Sequence, residues 1–141
     1  MSNDIPENDD TRTLVVLNKG TMVAHYRISE KIGTGGMGEV YLAEDTKLNR
    51  KVALKFLADQ FFSDQSARDR FTREAQAVAA MDHPNIVSIY EVNEFKSRPY
   101  FAMQYVEGKS LSDIIKGNQL QLSEIIRLAI QICEGLQAAD N

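Results

Sequence analysis

Three glycines, a lysine and a glutamate are the residues of this chain whose types and spacing suit chemistry on phosphate groups. Gly33, Gly35 and Gly38 form the pattern G-x-G-x-x-G within IGTGGMGEV. Missing Cβ atoms there permit φ > 0 and let backbone N–H groups come close to anionic oxygens. Plain hairpins use the same pattern, so the flanking sequence decides its meaning. A dinucleotide fold opens a helix at the glycines and places an acid about 20 residues further on. Here Val40-Tyr41-Leu42-Ala43 continues as strand-forming sequence instead. The phosphate loop that ends in Gly-Lys-Ser or Gly-Lys-Thr does not occur either. A glycine turn between two strands remains, and on its own it fits a phosphate cover or an ordinary hairpin.

Lys55 lies in KVALKFL, a strand pattern with Val52, Leu54 and Phe56 on one face and Ala53, Lys55 and Leu57 on the other. An ammonium among apolar neighbours is costly unless it meets an anion. Glu74 is the natural partner, because it sits between Phe71 and Val78 on a helical stretch and borders the apolar face. A buried Lys–Glu pair is a weak stabilising device, since desolvation offsets most of the attraction, and makes more sense as a positioned charge.

The elements that must hold these groups follow from periodicity. YRISEKI and VYLAED flank the glycines as strands, and KVALKFL is the third. Ser63 to Met81 reads as a helix, with Ser63 or Asp64 as its cap and Phe71, Ala75, Val78 and Ala79 at helical spacing. IVSIYEVNEF and RPYFAMQYV read as two further strands joined by a polar turn at Lys96 to Arg98. SLSDIIK is a short helix. Ser123 to about Ala139 is a longer one, with Ile125, Leu128, Ala129, Ile132, Cys133 and Leu136 as its apolar stripe. Cys133 reads as a small core residue and His25 as a solvated one.

Composition bounds the rest. The 141 residues suit one domain, and 43% hydrophobic content is ordinary for a protein with a core. The net charge of −4, with no Lys/Arg stripe, argues against a nucleic-acid partner. The single cysteine excludes a disulfide framework, and no apolar run reaches the roughly 18 residues of a membrane span. A cytoplasmic setting is therefore expected, although a segment outside these residues would be able to anchor a parent protein to a membrane. Residues 1–19 read as a flexible acidic leader.

In combination, GTGGMGEV at 33–40, VALK at 52–55, Glu74 in RFTREA and HPNIV at 83–87 resemble the signature of protein kinases. GGMGEVYLAED with Tyr26-Arg27-Ile28 ahead of it is most similar to the eukaryotic-like (Hanks-type) serine/threonine kinases of bacteria. The resemblance implies an α+β fold: an N-lobe at 20–107 with a five-stranded antiparallel sheet, one packed helix and a hinge, then the first helices of an incomplete C-lobe at 108–141. It implies that Ile32, Gly33, Thr34, Gly35, Gly36, Met37, Gly38, Glu39 and Val40 cover ATP, with backbone amides around Thr34 to Gly38 on the phosphates. Ile32, Val40 and Ala53 would sandwich adenine. Lys55 would meet the α- and β-phosphates, held by Glu74. Met103 resembles the residue at the back of the adenine pocket, and Gln104 to Val106 resemble the hinge. Gln104 stands where the family usually has Glu, a departure that backbone hinge contacts tolerate. Ser110 would cap a helix or touch ribose, and His83 would be structural.

The family's catalytic base in H-R-D, the Asn shortly after it and the metal-binding D-F-G do not occur in these residues. This chain alone is therefore expected to bind nucleotide without transferring phosphate. The complete enzyme would use ATP and Mg²⁺ to phosphorylate Ser or Thr hydroxyls of a protein substrate. Two accounts stand: a piece of a full kinase, which the intact glycines, Lys55 and Glu74 favour, or a short nucleotide-binding or protein-interaction module. The Ser123 to Ala139 stripe, left without its usual neighbours, is expected to drive self-association.

Overall fold

Alternating apolar and polar residues build the sheet on which the glycine turn hangs. The computed structural model describes residues 17–117 and 120–140. Most of the leader expected from the sequence lies outside the described residues, while Leu17, its first described residue, is buried in the core. The strands are β1 (Met22–Val23), β2 (Tyr26–Gly35), β3 (Gly38–Asp45), β4 (Arg50–Leu57), β5 (Ile89–Phe95) and β6 (Arg98–Gln104). All neighbours are antiparallel, in the order β1-β2-β3-β4-β6-β5. The sheet thus has six strands rather than five. The extra one, β1, has two residues, too few for any periodicity, and folds back on Tyr26 and Arg27 through a turn in which Ala24 has φ 51°.

The two faces of β4 carry separate cores. Val52, Leu54 and Phe56 join Ile28, Tyr41 and Tyr100 on one face, where Phe56 stacks on Tyr100 at 5.1 Å and meets Tyr41 edge-on at 5.8 Å. On the other face, helix α1 (Gln65–Ala79) lays Phe71 and Ala75 against Leu57 and Phe101. Full burial of a side chain such as Phe56 or Phe71 stabilises the fold by about 1.5–3 kcal/mol. The start of α1 is set by Asp64, whose carboxylate accepts the Ala67 N–H at 3.1 Å. Two register shifts in β2, between Ile28 and Glu30 and between Lys31 and Gly33, twist the strand as it approaches the glycines.

Beyond β6 come the short helix α2 (Leu111–Lys116) and the long helix α3 (Leu122–Asp140). Helix α3 docks on the loop after α1. Asn85 Nδ2 donates to the Gln131 carbonyl at 2.9 Å, and a Cβ on the buried Gly135 would lie 3.4 Å from the Asn85 carbonyl. Its stripe stays largely open to solvent: Ile125 is 47% exposed, Ile132 48% and Leu136 65%. Cys133 is exposed as well, contrary to the core role its place in the stripe suggested. The stripe is covered only in part: Ile125, Leu128, Ala129 and Ile132 border an open cavity with Leu111, Ile115 and Leu120, and Leu128 alone of the six is half-buried, so membership of the stripe does not by itself confer burial.

Candidate functional site

Register fixes the shape of the glycine hairpin. Strands β2 and β3 pair down to Gly35 opposite Gly38, which leaves Gly36 and Met37 as the turn. Gly36 has φ 55°, the conformation such tight turns require. Gly35 has open space where a Cβ would be, so the space at its Cα stays clear for a close ligand. Gly38 is constrained differently. A Cβ there would meet Lys55 Cε at 2.6 Å, the Phe56 carbonyl at 3.1 Å and Lys55 Cγ at 3.2 Å, so the missing side chain is the space through which the lysine stem passes.

The remaining candidates fall on two adjacent rows of the sheet. Gly33, Val40, Lys55 and Phe101 are successive cross-strand partners, and Leu42, Ala53, Met103 and Ile89 form the next row. Val40, Ala53, Lys55 and Met103 therefore share the face that α1 covers in part. Ala53 is buried, while Ile32 at the end of the sheet is 44% exposed. Lys55 is half-buried, with Nζ 6.0 Å from the centre of the Phe101 ring. Lys55, Glu74, Met37, Phe71 and Phe101 line one cavity of about 400 Å³ between α1 and the sheet. The sheet and helix bring Lys55 and Glu74 to the same cavity, but no ion pair within 4.0 Å joins them among the described residues.

Glu39, grouped by sequence with the nucleotide cover, sends its carboxylate to the opposite face. It accepts hydrogen bonds from Arg98 Nη2 and Tyr41 Oη, each at 3.1 Å, and lies 3.6 Å from Lys31 Nζ. Burial alone would raise its pKa, but the hydrogen bond and charge of Arg98, helped by Lys31 and Tyr41, hold it below the ordinary carboxylate value.

Arg98 is the residue that sequence reasoning missed, because the sequence places it where the polar turn at Lys96 to Arg98 runs into the strand RPYFAMQYV and gives it no partner. The turn is Lys96-Ser97, both at positive φ, and Arg98 opens β6. Strand parity was the available signal: Arg98, Tyr100 and Ala102 alternate onto one face. At 3% exposure Arg98 donates from Nε to the Leu57 carbonyl at 2.7 Å, and Nη1 lies 3.5 Å from Asp59.

In the segment expected to act as the hinge, the Gln104 N–H donates to the Ser88 carbonyl at 2.8 Å, and Gln104 Oε1 accepts the Ser88 N–H at 3.3 Å. Val106 is 61% exposed. Ser110 Oγ accepts the Asp113 N–H at 3.1 Å and caps α2. His83 Nδ1 accepts the Asn85 N–H at 3.0 Å, which orders the loop that receives α3. His25 is less solvated than its sequence context suggested: it lies 3.4 Å from buried Asp45, and its ring centre is 4.0 Å from that of Tyr26 with the planes tilted by 37°.

The sequence model of the protein kinase domain matches residues 26–139. The chain is 37% identical over 123 residues to serine/threonine-protein kinase PknJ of Mycobacterium tuberculosis, covering 87% of this chain and 21% of that protein. It is 44% identical over 115 residues to serine/threonine-protein kinase PrkC of Bacillus subtilis, covering 81% and 18%. Among solved structures it is similar to the PknI kinase domain of M. tuberculosis, with TM-score 0.76, 28% identity, 88% coverage of this chain and 51% of that one. The chain thus spans about a fifth of these curated relatives and about half of a solved kinase domain.

Proposed function

This chain belongs to the protein kinase family, and on that premise we propose that it carries the ATP-binding part of a serine/threonine kinase of bacterial type. The observation that carries the reading is Lys55. Its ammonium is half-buried, its stem is threaded under Gly38, it faces a cavity, and no carboxylate neutralises it within 4.0 Å among the described residues. A cation held that way fits an anionic ligand that arrives from outside, and the open approach at Gly35 fits phosphate oxygens. In this reading Val40 and Ala53 pack on adenine, with Ile32 at the rim and Met103 behind. Backbone groups of Gln104 to Val106 orient the base, and Lys55 meets the phosphates. Glu74, on the far wall of the same cavity, orients Lys55 once a ligand draws the two together.

The whole protein is proposed to transfer the γ-phosphoryl group of ATP to Ser or Thr hydroxyls of proteins, with Mg²⁺ supplying charge neutralisation. The base and metal-binding motifs of that chemistry do not occur among these 141 residues, so they are proposed to bind nucleotide without transferring phosphate. Calorimetric titration with ATP and with adenosine, beside Lys55→Met, tests the reading. Loss of about tenfold or more in ATP affinity with little change for adenosine is expected, the size of one lost charge-assisted contact. Equal loss for both ligands overturns the assignment of Lys55. No ATP binding by a protein with a folded circular dichroism spectrum favours an interaction module.

A further inference from the structure

Arg98 is a buried cation that the nucleotide reading leaves unused. A guanidinium at 3% exposure is costly unless its fork is satisfied, and here each arm has a partner. Nε holds the Leu57 carbonyl at 2.7 Å, Nη2 holds Glu39 at 3.1 Å, and Nη1 faces Asp59 at 3.5 Å. These partners are not scattered. Leu57 is the register partner of Gly38, and Glu39 is the next residue along β3. One residue past Leu57, the Ala58 N–H donates to the Met37 carbonyl at 2.6 Å, which fastens the turn itself to the exit of β4.

We propose that Arg98 is a positioning residue that clasps the root of the glycine hairpin to the exit of β4 and so sets the height of the turn over Lys55. The effect on nucleotide rests on the reading above; the clasp itself does not. A rigid planar fork suits this task, because a movable point charge such as lysine would hold one strand and release the other. Arg98 touches no proposed ligand, so it acts through the loop it holds.

The test measures amide hydrogen exchange and ligand binding on the same samples: wild type, Arg98→Met and the milder Glu39→Gln. The proposal expects exchange in segments 36–40 and 57–60 to accelerate about tenfold, the scale of one lost hydrogen bond to a charged group, while Phe71 to Ala75 of α1 keep wild-type rates. ATP affinity then falls several-fold and adenosine affinity holds. Acceleration shared equally by α1 and the hairpin assigns Arg98 a general structural role and overturns the proposal, as does unchanged exchange at the hairpin. If Arg98→Met does not fold, Glu39→Gln decides by the same criteria. If wild type binds no ATP, the function proposed above falls, and the exchange pattern still decides on the clasp.

Discussion

Replacing Gly38 with alanine separates the site from the fold. The new Cβ would stand 2.6 Å from Lys55 Cε and 3.2 Å from Lys55 Cγ, distances that real contacts do not sustain, and 3.1 Å from the Phe56 carbonyl. The lysine end is flexible and yields cheaply, while the carbonyl must shift by a few tenths of an ångström. Overpacking of this kind costs about 1–3 kcal/mol when the neighbours are rigid, and a yielding side chain places the cost at the low end. Gly38 is not among the glycines with positive φ, so alanine also recovers about 0.4–1 kcal/mol by restricting the unfolded chain. Net stability should change by less than about 1 kcal/mol. The ammonium, however, is pushed from its place under the turn, and ATP affinity should fall about tenfold or more while adenosine affinity holds. Gly36→Ala is the contrasting control. It has open space but φ 55°, so it should cost about 1–2 kcal/mol of stability and leave the Lys55 stem where it is. Urea unfolding and calorimetric titration of both variants check this. Wild-type ATP binding by Gly38→Ala would refute the view that this glycine exists to make room for the lysine.

Three other outcomes are expected. Stability should fall at both ends of the pH range. Glu39 and Asp45 have folded pKa values below their ordinary 4.5 and 3.8, so their contribution is present above those values and disappears as pH falls through the lowered ones. Tyr41 and Tyr100, pushed by burial from 10.0 to about 12, contribute below pH 10 and lose that contribution as pH rises toward 12; urea midpoints from pH 3 to 12 report both limbs. Asn85→Ala removes the hydrogen bond to Gln131 and should cost about 1 kcal/mol, read as faster hydrogen exchange in α3 with β4 unchanged. The exposed stripe of α3 should make the chain self-associate, and the double variant Ile132→Glu with Leu136→Glu should sediment as a monomer at concentrations where wild type does not.

The sheet was legible because its strands are half-buried, which makes alternation a direct record of which face each residue takes. The helix α1 was legible for the same reason: Phe71 and Ala75 recur at its spacing, and Asp64 announces its start. Two-residue β1 left no such record. Arg98 was illegible because a charged residue beside a turn normally faces water, and only its pairing with residues 41 and 59 positions away in sequence makes burial affordable. The docking of α3 was hidden likewise, since an asparagine in a loop and a glycine in a helix carry no periodic signal. For the candidate site, sequence brought the lysine and glycines to one region. That Gly38 gives its space to Lys55, and that Glu39 faces away, depends on register, which composition does not encode.

The order β4-β6-β5 also governs how this chain comes off the ribosome. Strands β2, β3 and β4 are consecutive and pair with near neighbours, so they can assemble early. The far edge of β4, with Val52, Leu54 and Phe56, waits for β6, whose Tyr100 to Gln104 is made only after α1 and β5. Throughout that interval an apolar strand edge is open to any other extended chain nearby. Slowing synthesis after β4 has emerged and before Tyr100 to Gln104 has cleared the ribosome should therefore lengthen the time in which nascent chains can aggregate, while a pause once β6 is free to pair should matter less.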